Sequence, residues 1–301
     1  MKYNDILMSS ADTHRQRLAN MATRSDRNKW AENLEPIIRD LSPFPISYDV
    51  TSVQPANFSE YTYTEFAGGV YILSQSVDIN CRLMAMAAQQ DCGEDLSKIE
   101  QDWKSIVKDK YNLEQSSMDK YPEKVIFTPA NNCLDQISWE VLCRAVHEDD
   151  SVMVKPHPII DPEANKMLAQ RVGWNKLIPK KESGMQYMLN SKEVYASSCS
   201  ELSILAALFD KKVHNLGNFF HESEGAYYPM TRQMFSSDNY KQEILRMMAC
   251  DFSGLIFPWH SEDQVRQRVK AFFDKSLELR DIYSPLYVRF PRKPVEQNGG
   301  R

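Results

Sequence analysis

From Lys124 to Asn215 the chain alternates between two textures. Short apolar, β-branched runs give way to helical stretches of about ten residues, and then return. "KVIFTP" reads as a strand and 133–148 as a helix; "SVMVKP" is the next strand and 162–172 the next helix. A short strand at "KLIP" and a short helix at 183–190 follow. "EVYAS", a helix over 200–209 and the strand "KKVHNLG" complete the run. Strands separated by helices in this way pair in parallel, because each connection must cross the sheet. The spacing therefore predicts an α/β fold. In such sheets a ligand lies beyond the carboxyl ends of the strands.

The rest of the chain is less regular. Residues 4–8 suggest a strand, followed by the loop "SSADTH" and helical spacing over 15–42 in two pieces. "SPFPISYDVTSV" leads from a loop into a strand. "GGVYILSQS" reads as another strand and "VDINCRLMAMAAQQ" as a helix. Residues 90–121 are polar and charged, and set a boundary near Pro122. A chain of 301 residues suits two domains. The expected division is 1–121, an N-terminal domain; 122–260, a second domain; and 261–301, a C-terminal helix and tail able to cross back to the first. Helices are expected over 239–250 and 262–280, and the tail "PVEQNGGR" is expected to be disordered.

The strand ends collect polar and small residues. After "KVIFTP" come Asn131 and Asn132, with Asp135 and Gln136 expected to open the helix. Such residues also serve as plain caps. "SVMV" ends in Lys155-Pro156-His157-Pro158, where two prolines stiffen the backbone on which the imidazole is mounted. A donor fixed in direction suits an anion, because it is organised before the ligand arrives. "EVYAS" ends in Ser197, Ser198, Cys199, Ser200 and Glu201 at a helix start, where hydroxyls and amides suit a phosphate or an ordinary cap. The last strand ends in Asn215, Gly217 and Asn218, with Gly217 allowing close backbone approach.

Taken together, residues 124–220 resemble the donor-binding domain of the capsule polysaccharide biosynthesis transferases, and more distantly the CDP-glycerol glycerophosphotransferases. The resemblance rests on "LDQIS" (134–138), "VKPHP" (154–158), "ASSCSELSILAALFDKKV" (196–213) and "NLG" (215–217), about a third of the chain. It implies a GT-B-like glycosyltransferase: two Rossmann-like domains facing a cleft, here with a reduced N-terminal domain. It further implies that His157 binds the donor's phosphate, and that Ser198, Ser200 and the helix start take the same group. Asp135 and Gln136 would line the mouth of the cleft, with Asn132, Lys155, Ser197, Glu201 and Gly217 completing the donor side. The family's glutamate before alanine falls at Leu205 here, so one expected donor contact is missing. The implied donor is a UDP- or CDP/CMP-linked sugar, with no required metal or other cofactor. There is no DxD motif and no His/Cys cluster. Two-domain phage DNA glucosyltransferases share the GT-B architecture, so the acceptor is either a glycan or a hydroxymethylated pyrimidine in DNA. Transfer of glycerol phosphate and non-catalytic binding of a nucleotide-sugar are the remaining readings.

For a base, Asp12 and His14 in the loop after the first strand are the candidates. Arg15, Arg17, Arg24 and Arg27 form a basic stretch, and "YVRFPRKP" interleaves aromatics with cations near the C-terminus. Both suit a nucleic-acid acceptor, or plain solvated faces. A net charge of −5 and a pI near 5.8 give no global attraction to nucleic acid. Six cysteines without a CxxC pair suggest reduced thiols. With no run of 18 apolar residues and no signal-like start, a soluble cytoplasmic protein is expected.

Overall fold

The structure is a computed structural model, and it describes residues 29–44, 46–48, 61–66, 70–114, 120–130, 134, 137–198, 200–217 and 227–289. The early strand at 4–8, the first part of the helix expected over 15–42 and the C-terminal tail lie outside these residues.

Chain order runs α1 (Lys29–Leu41), β1 (Ile46–Tyr48), β2 (Tyr61–Phe66), β3 (Val70–Ser74), α2 (Val77–Gln89) and α3 (Leu96–Tyr111). Then come β4 (Lys124–Phe127), α4 (Trp139–Glu148), β5 (Val152–Lys155), α5 (Pro162–Val172), α6 (Gly184–Asn190), β6 (Glu193–Ala196), α7 (Glu201–Leu208) and β7 (Lys212–Asn215). The chain finishes with α8 (Tyr228–Met234), α9 (Tyr240–Ala249), β8 (Leu255–Ile256) and α10 (Glu262–Arg289).

β4 to β7 form the expected parallel sheet, in the order β5-β4-β6-β7. From β4 the chain steps to β5, then returns past β4 to β6 and β7. That reversal makes the carboxyl ends of β4 and β6 the switch point, where the sheet leaves a crevice. β4 explains its own central place: Val125 and Phe127 face one hydrophobic cluster and Ile126 the other. Alternate residues thus serve opposite faces. The helices are locally specified. Asp161 caps α5 by accepting from the Ala164 amide at 2.7 Å, Pro162 opens it, and Gly173, at φ 92°, ends it.

The first sheet, β1-β2-β3-β8, departs from the Rossmann-like expectation. β1 and β2 are parallel, but β2–β3 and β3–β8 are antiparallel. Only residues 67–69 separate β2 from β3, too few for a crossover and enough for a hairpin. β3 is buried along its whole length. Val70 and Ile72 join the core shared with β4, β6, α2 and α3. Tyr71 and Leu73 pack with Leu34, Ile38, Phe272 and Phe273 of α1 and α10. A single core therefore joins the two sheets. The chain's return to the first sheet begins at β8, several residues before the 261 expected from the sequence.

Three further differences follow from local chemistry. The polar stretch 90–121 contains α3, whose Trp103 and Val107 are fully buried. The helix expected from residue 133 starts at Trp139, capped by Ser138, because Ile137 is taken up by an antiparallel bridge to Gly217. "KLIP" contributes one bridge, Leu177 to Val154, in place of a strand.

Candidate functional site

The four carboxyl ends of the parallel sheet stand side by side. His157 follows β5, Thr128 follows β4, Ser197 and Ser198 follow β6, and Gly217 follows β7. Neighbouring strands lie about 4.8 Å apart. The Thr128 amide donates to the Lys155 carbonyl at 3.2 Å, and Leu216 donates to the Ala196 carbonyl at 2.9 Å, so the edges stay in step past the last strand residues.

His157 is fixed by more than its prolines. Its Nδ1 accepts the Ile159 amide at 3.3 Å, which leaves Nε2 to carry the ring proton as a donor. Burial, and then the Lys155 charge, lower its pKa to about 4. At neutral pH the imidazole is therefore an uncharged donor.

Lys155 has a different place from the one the sequence suggested. It is 2% exposed, and its Nζ donates to the carbonyls of Pro156 at 3.0 Å and Lys180 at 3.1 Å. Burial lowers its pKa to about 8; Glu182 opposes the shift and Lys180 adds to it. Lys180 in turn donates to the Ile160 carbonyl at 2.7 Å. Two lysines thus lace the histidine loop to the 177–182 segment. The Lys155 ammonium is thus engaged by carbonyls of its own loop and of the neighbouring segment.

The β6 turn is tightly satisfied. Ser200 caps α7 by accepting the Leu202 amide at 3.3 Å, and Glu201 stands in the first turn. The Ser197 carbonyl accepts from the Ser203 hydroxyl at 2.8 Å and from the Ser200 amide at 3.1 Å. The Ser198 carbonyl accepts from the Thr231 hydroxyl of α8 at 2.6 Å. Gly217 meets this turn edge-on: a Cβ there would lie 3.0 Å from both the amide and the hydroxyl of Ser198. Asn215 holds Gly217 by accepting from its amide at 2.9 Å and donating to its carbonyl at 3.0 Å. The glycine lets the chain pass close to Ser198, itself 1% exposed, where any side chain would crowd it.

Thr128 is a site residue that the sequence reading passed over. It is 3% exposed, and its hydroxyl is buried without a hydrogen-bond partner. It stands at the centre of the row, between His157 and Ser198. Its signal was its position, one residue past the central strand in "KVIFTP". Leu205 is wholly buried in the core.

Asp12, His14, Arg15, Arg17, Arg24, Arg27, Asn132, Asp135 and Gln136 lie outside the described residues. Among the described residues no group of three or more His, Cys, Asp or Glu could hold a metal ion. Nor, among them, is any helix long and apolar enough to cross a membrane.

A cavity of about 450 Å³ lies elsewhere, between the start of α3 and the segment after α9, with Asp102, Asp251, Trp259, His260 and Arg268 in its walls. Burial, and then Arg268, lower the His260 pKa to about 3. The Arg268 guanidinium is already engaged by the carbonyls of Met248, Ala249, Cys250 and Leu255. Carboxylates dominate the charged lining of this space. The strand-end row is therefore the better place for a phosphate.

Compared with protein-family models, with curated proteins and with solved structures, the chain matches none.

Proposed function

We propose that the chain is a glycosyltransferase that moves a sugar from a UDP- or CDP/CMP-linked donor to an acceptor hydroxyl. The donor phosphate would bind across the carboxyl ends of β4 to β7. The observation that carries this reading is the row itself: His157 Nε2–H, the unpartnered Thr128 hydroxyl, and Ser198, uncrowded because residue 217 is glycine, all at the carboxyl ends of the strands. A parallel sheet with this reversal in strand order places a ligand there.

Each residue has a definite part in the reaction. The bond between the anomeric carbon and the phosphate oxygen breaks, and its electron pair stays on the phosphate. The acceptor oxygen bonds to the anomeric carbon and passes its proton to a base, for which Asp12 and His14 are the candidates. Negative charge therefore grows on the leaving phosphate, where fixed donors act most strongly. His157 donates to it while neutral. The phosphate's charge then raises the imidazole's proton affinity, since an opposite charge nearby favours the charged form. Thr128 and Ser198 add neutral donors, and the α7 start adds its dipole. Lys155 keeps its charge close beneath without leaving its carbonyl partners.

A panel of UDP-, CDP-, CMP- and GDP-sugars in a thermal-shift assay tests the reading. A ligand that binds only the native state, at a hundred times its Kd, stabilises by about 2.7 kcal/mol. One UDP- or cytidine-linked sugar is expected to raise Tm in this way. A panel with no response sinks the proposal.

A further inference from the structure

The turn between β3 and α2 holds an unusual set of side chains. Ser74, Gln75 and Ser76 are 1%, 0% and 6% exposed. The Ser74 hydroxyl, the Gln75 Nε2 and the Ser76 hydroxyl are all buried without a hydrogen-bond partner. Ser76 is the N-cap of α2, a helix of 13 residues, yet its side chain makes no capping bond. A helix start normally satisfies its free amides with such a cap.

The geometry fixes where these groups lie. The Gln75 Oε1 accepts the Ser76 amide at 2.6 Å, so the carboxamide lies against the helix start. Its Nε2, on the same carbon, is held there too, with two hydrogens to give. Asn80 fastens the turn from the other side: its Oδ1 accepts the Gln75 amide at 3.0 Å, and its amide donates to the Ser76 carbonyl at 3.0 Å. The turn is rigid, and the groups left over are the carboxamide N–H groups, two hydroxyls and uncapped helix amides. Their complement is a hydrogen-bond acceptor at the positive end of a helix. The charges nearby are Asp78, in the first turn, and Arg232 of α8, whose guanidinium lies 3.8 Å from the Cys81 sulfur and whose charge acts on Asp78. Arg232 thus offsets the one carboxylate near the turn.

We propose that this Ser-Gln-Ser turn is a second oxyanion site, taking a phosphate or carboxylate group, distinct from the row at the parallel sheet. An occupant accepts from the Gln75 carboxamide, the Ser74 and Ser76 hydroxyls and the first amides of α2. Leaving such groups buried and unpaired costs stability, so a bound oxyanion relieves that cost. The three atoms are closed off from solvent. The site belongs to the first sheet, and α8 joins it to the donor row: Thr231 bonds the Ser198 carbonyl, and its neighbour Arg232 meets α2. The assignment stands on these contacts and does not depend on the glycosyl-transfer reading.

The test is a titration of the full chain with inorganic phosphate, and separately with acetate, followed by the amide resonances of Val77 to Asn80. Saturable shifts at these amides are expected in wild type and in His157→Ala, which separates this site from the strand-end row. Gln75→Leu should weaken the response at least about tenfold, roughly one decade in Kd. Ser76→Asp places a carboxylate on the helix start. It should fold, raise Tm and abolish the phosphate response. Shifts that are absent in wild type, or that persist unchanged in Ser76→Asp, overturn the proposal.

Discussion

Two strand-to-helix turns of this protein use serine before a helix, and they leave it in opposite states. At the β6–α7 turn Ser200 caps its helix, Ser203 holds the Ser197 carbonyl and Thr231 holds that of Ser198. At the β3–α2 turn Ser76 makes no cap, and the Ser74 hydroxyl, the Gln75 Nε2 and the Ser76 hydroxyl have no hydrogen-bond partner. The difference teaches that a serine-rich helix start is not in itself a binding site. Where every group is paired, the turn is a rigid frame that presents a few chosen atoms, here those of Ser198 beside Gly217. Where pairs are missing, the turn itself has capacity to bind.

The contrast can be broken most severely at Gly217. In Gly217→Val a branched side chain enters where even a Cβ lies 3.0 Å from the Ser198 amide and hydroxyl. Overpacking of this sort costs about 1–3 kcal/mol. Nucleotide-sugar binding, measured by calorimetry, should be lost entirely while the phosphate response at Val77 to Asn80 survives. Acid should have the next largest effect. His157 and His260 are held neutral, with pKa values lowered to about 4 and about 3, against 6.5 in the unfolded chain. Below pH 6.5 the unfolded chain therefore binds protons that the folded protein refuses. Stability should fall as pH drops from about 6.5 toward 4, by at most about 1.4 kcal/mol per pH unit for each group. Urea midpoints between pH 7 and pH 4.5 measure the loss, which should be shallower in His157→Ala. The smallest effect separates the turns most cleanly. Ser200→Ala removes a working cap and should cost about 1 kcal/mol. Ser76→Ala, in the absence of any anion, removes a hydroxyl with no partner and should be neutral or slightly stabilising by the same measurement.

The parallel sheet was legible because its evidence is local. Val125, Ile126 and Phe127, or Val152 and Val154, each form one compact apolar run, and each helix between them carries its own cap. The first sheet was not, because its order depends on partners far apart in the chain: β3 pairs with β8, which comes only after the whole of the second sheet. "YTYTEF" alternates like a strand, and the Ala-Gly-Gly after it is a hairpin signal that the sequence reading passed over. α3 was hidden because one face carries most of its charge, and only Leu96, Ile99, Trp103 and Val107 mark the other. At the site, His157 and Gly217 could be read from stiff or small neighbours. Lys155 could not: the carbonyls that hold its ammonium include one from Lys180, brought up by the fold. Thr128 and the Ser-Gln-Ser turn escaped for the same reason. An unpaired hydroxyl or carboxamide is a property of the packed surroundings and leaves no mark in the sequence.

The central claim is that His157 holds a donor phosphate at the strand ends. It is tested most directly by sugar transfer, or donor hydrolysis, in wild type and His157→Ala with the nucleotide-sugar that shifts Tm. Activity should be abolished in the variant while its circular dichroism and urea midpoint at pH 7 stay close to wild type. Turnover in His157→Ala near the wild-type rate would contradict the account.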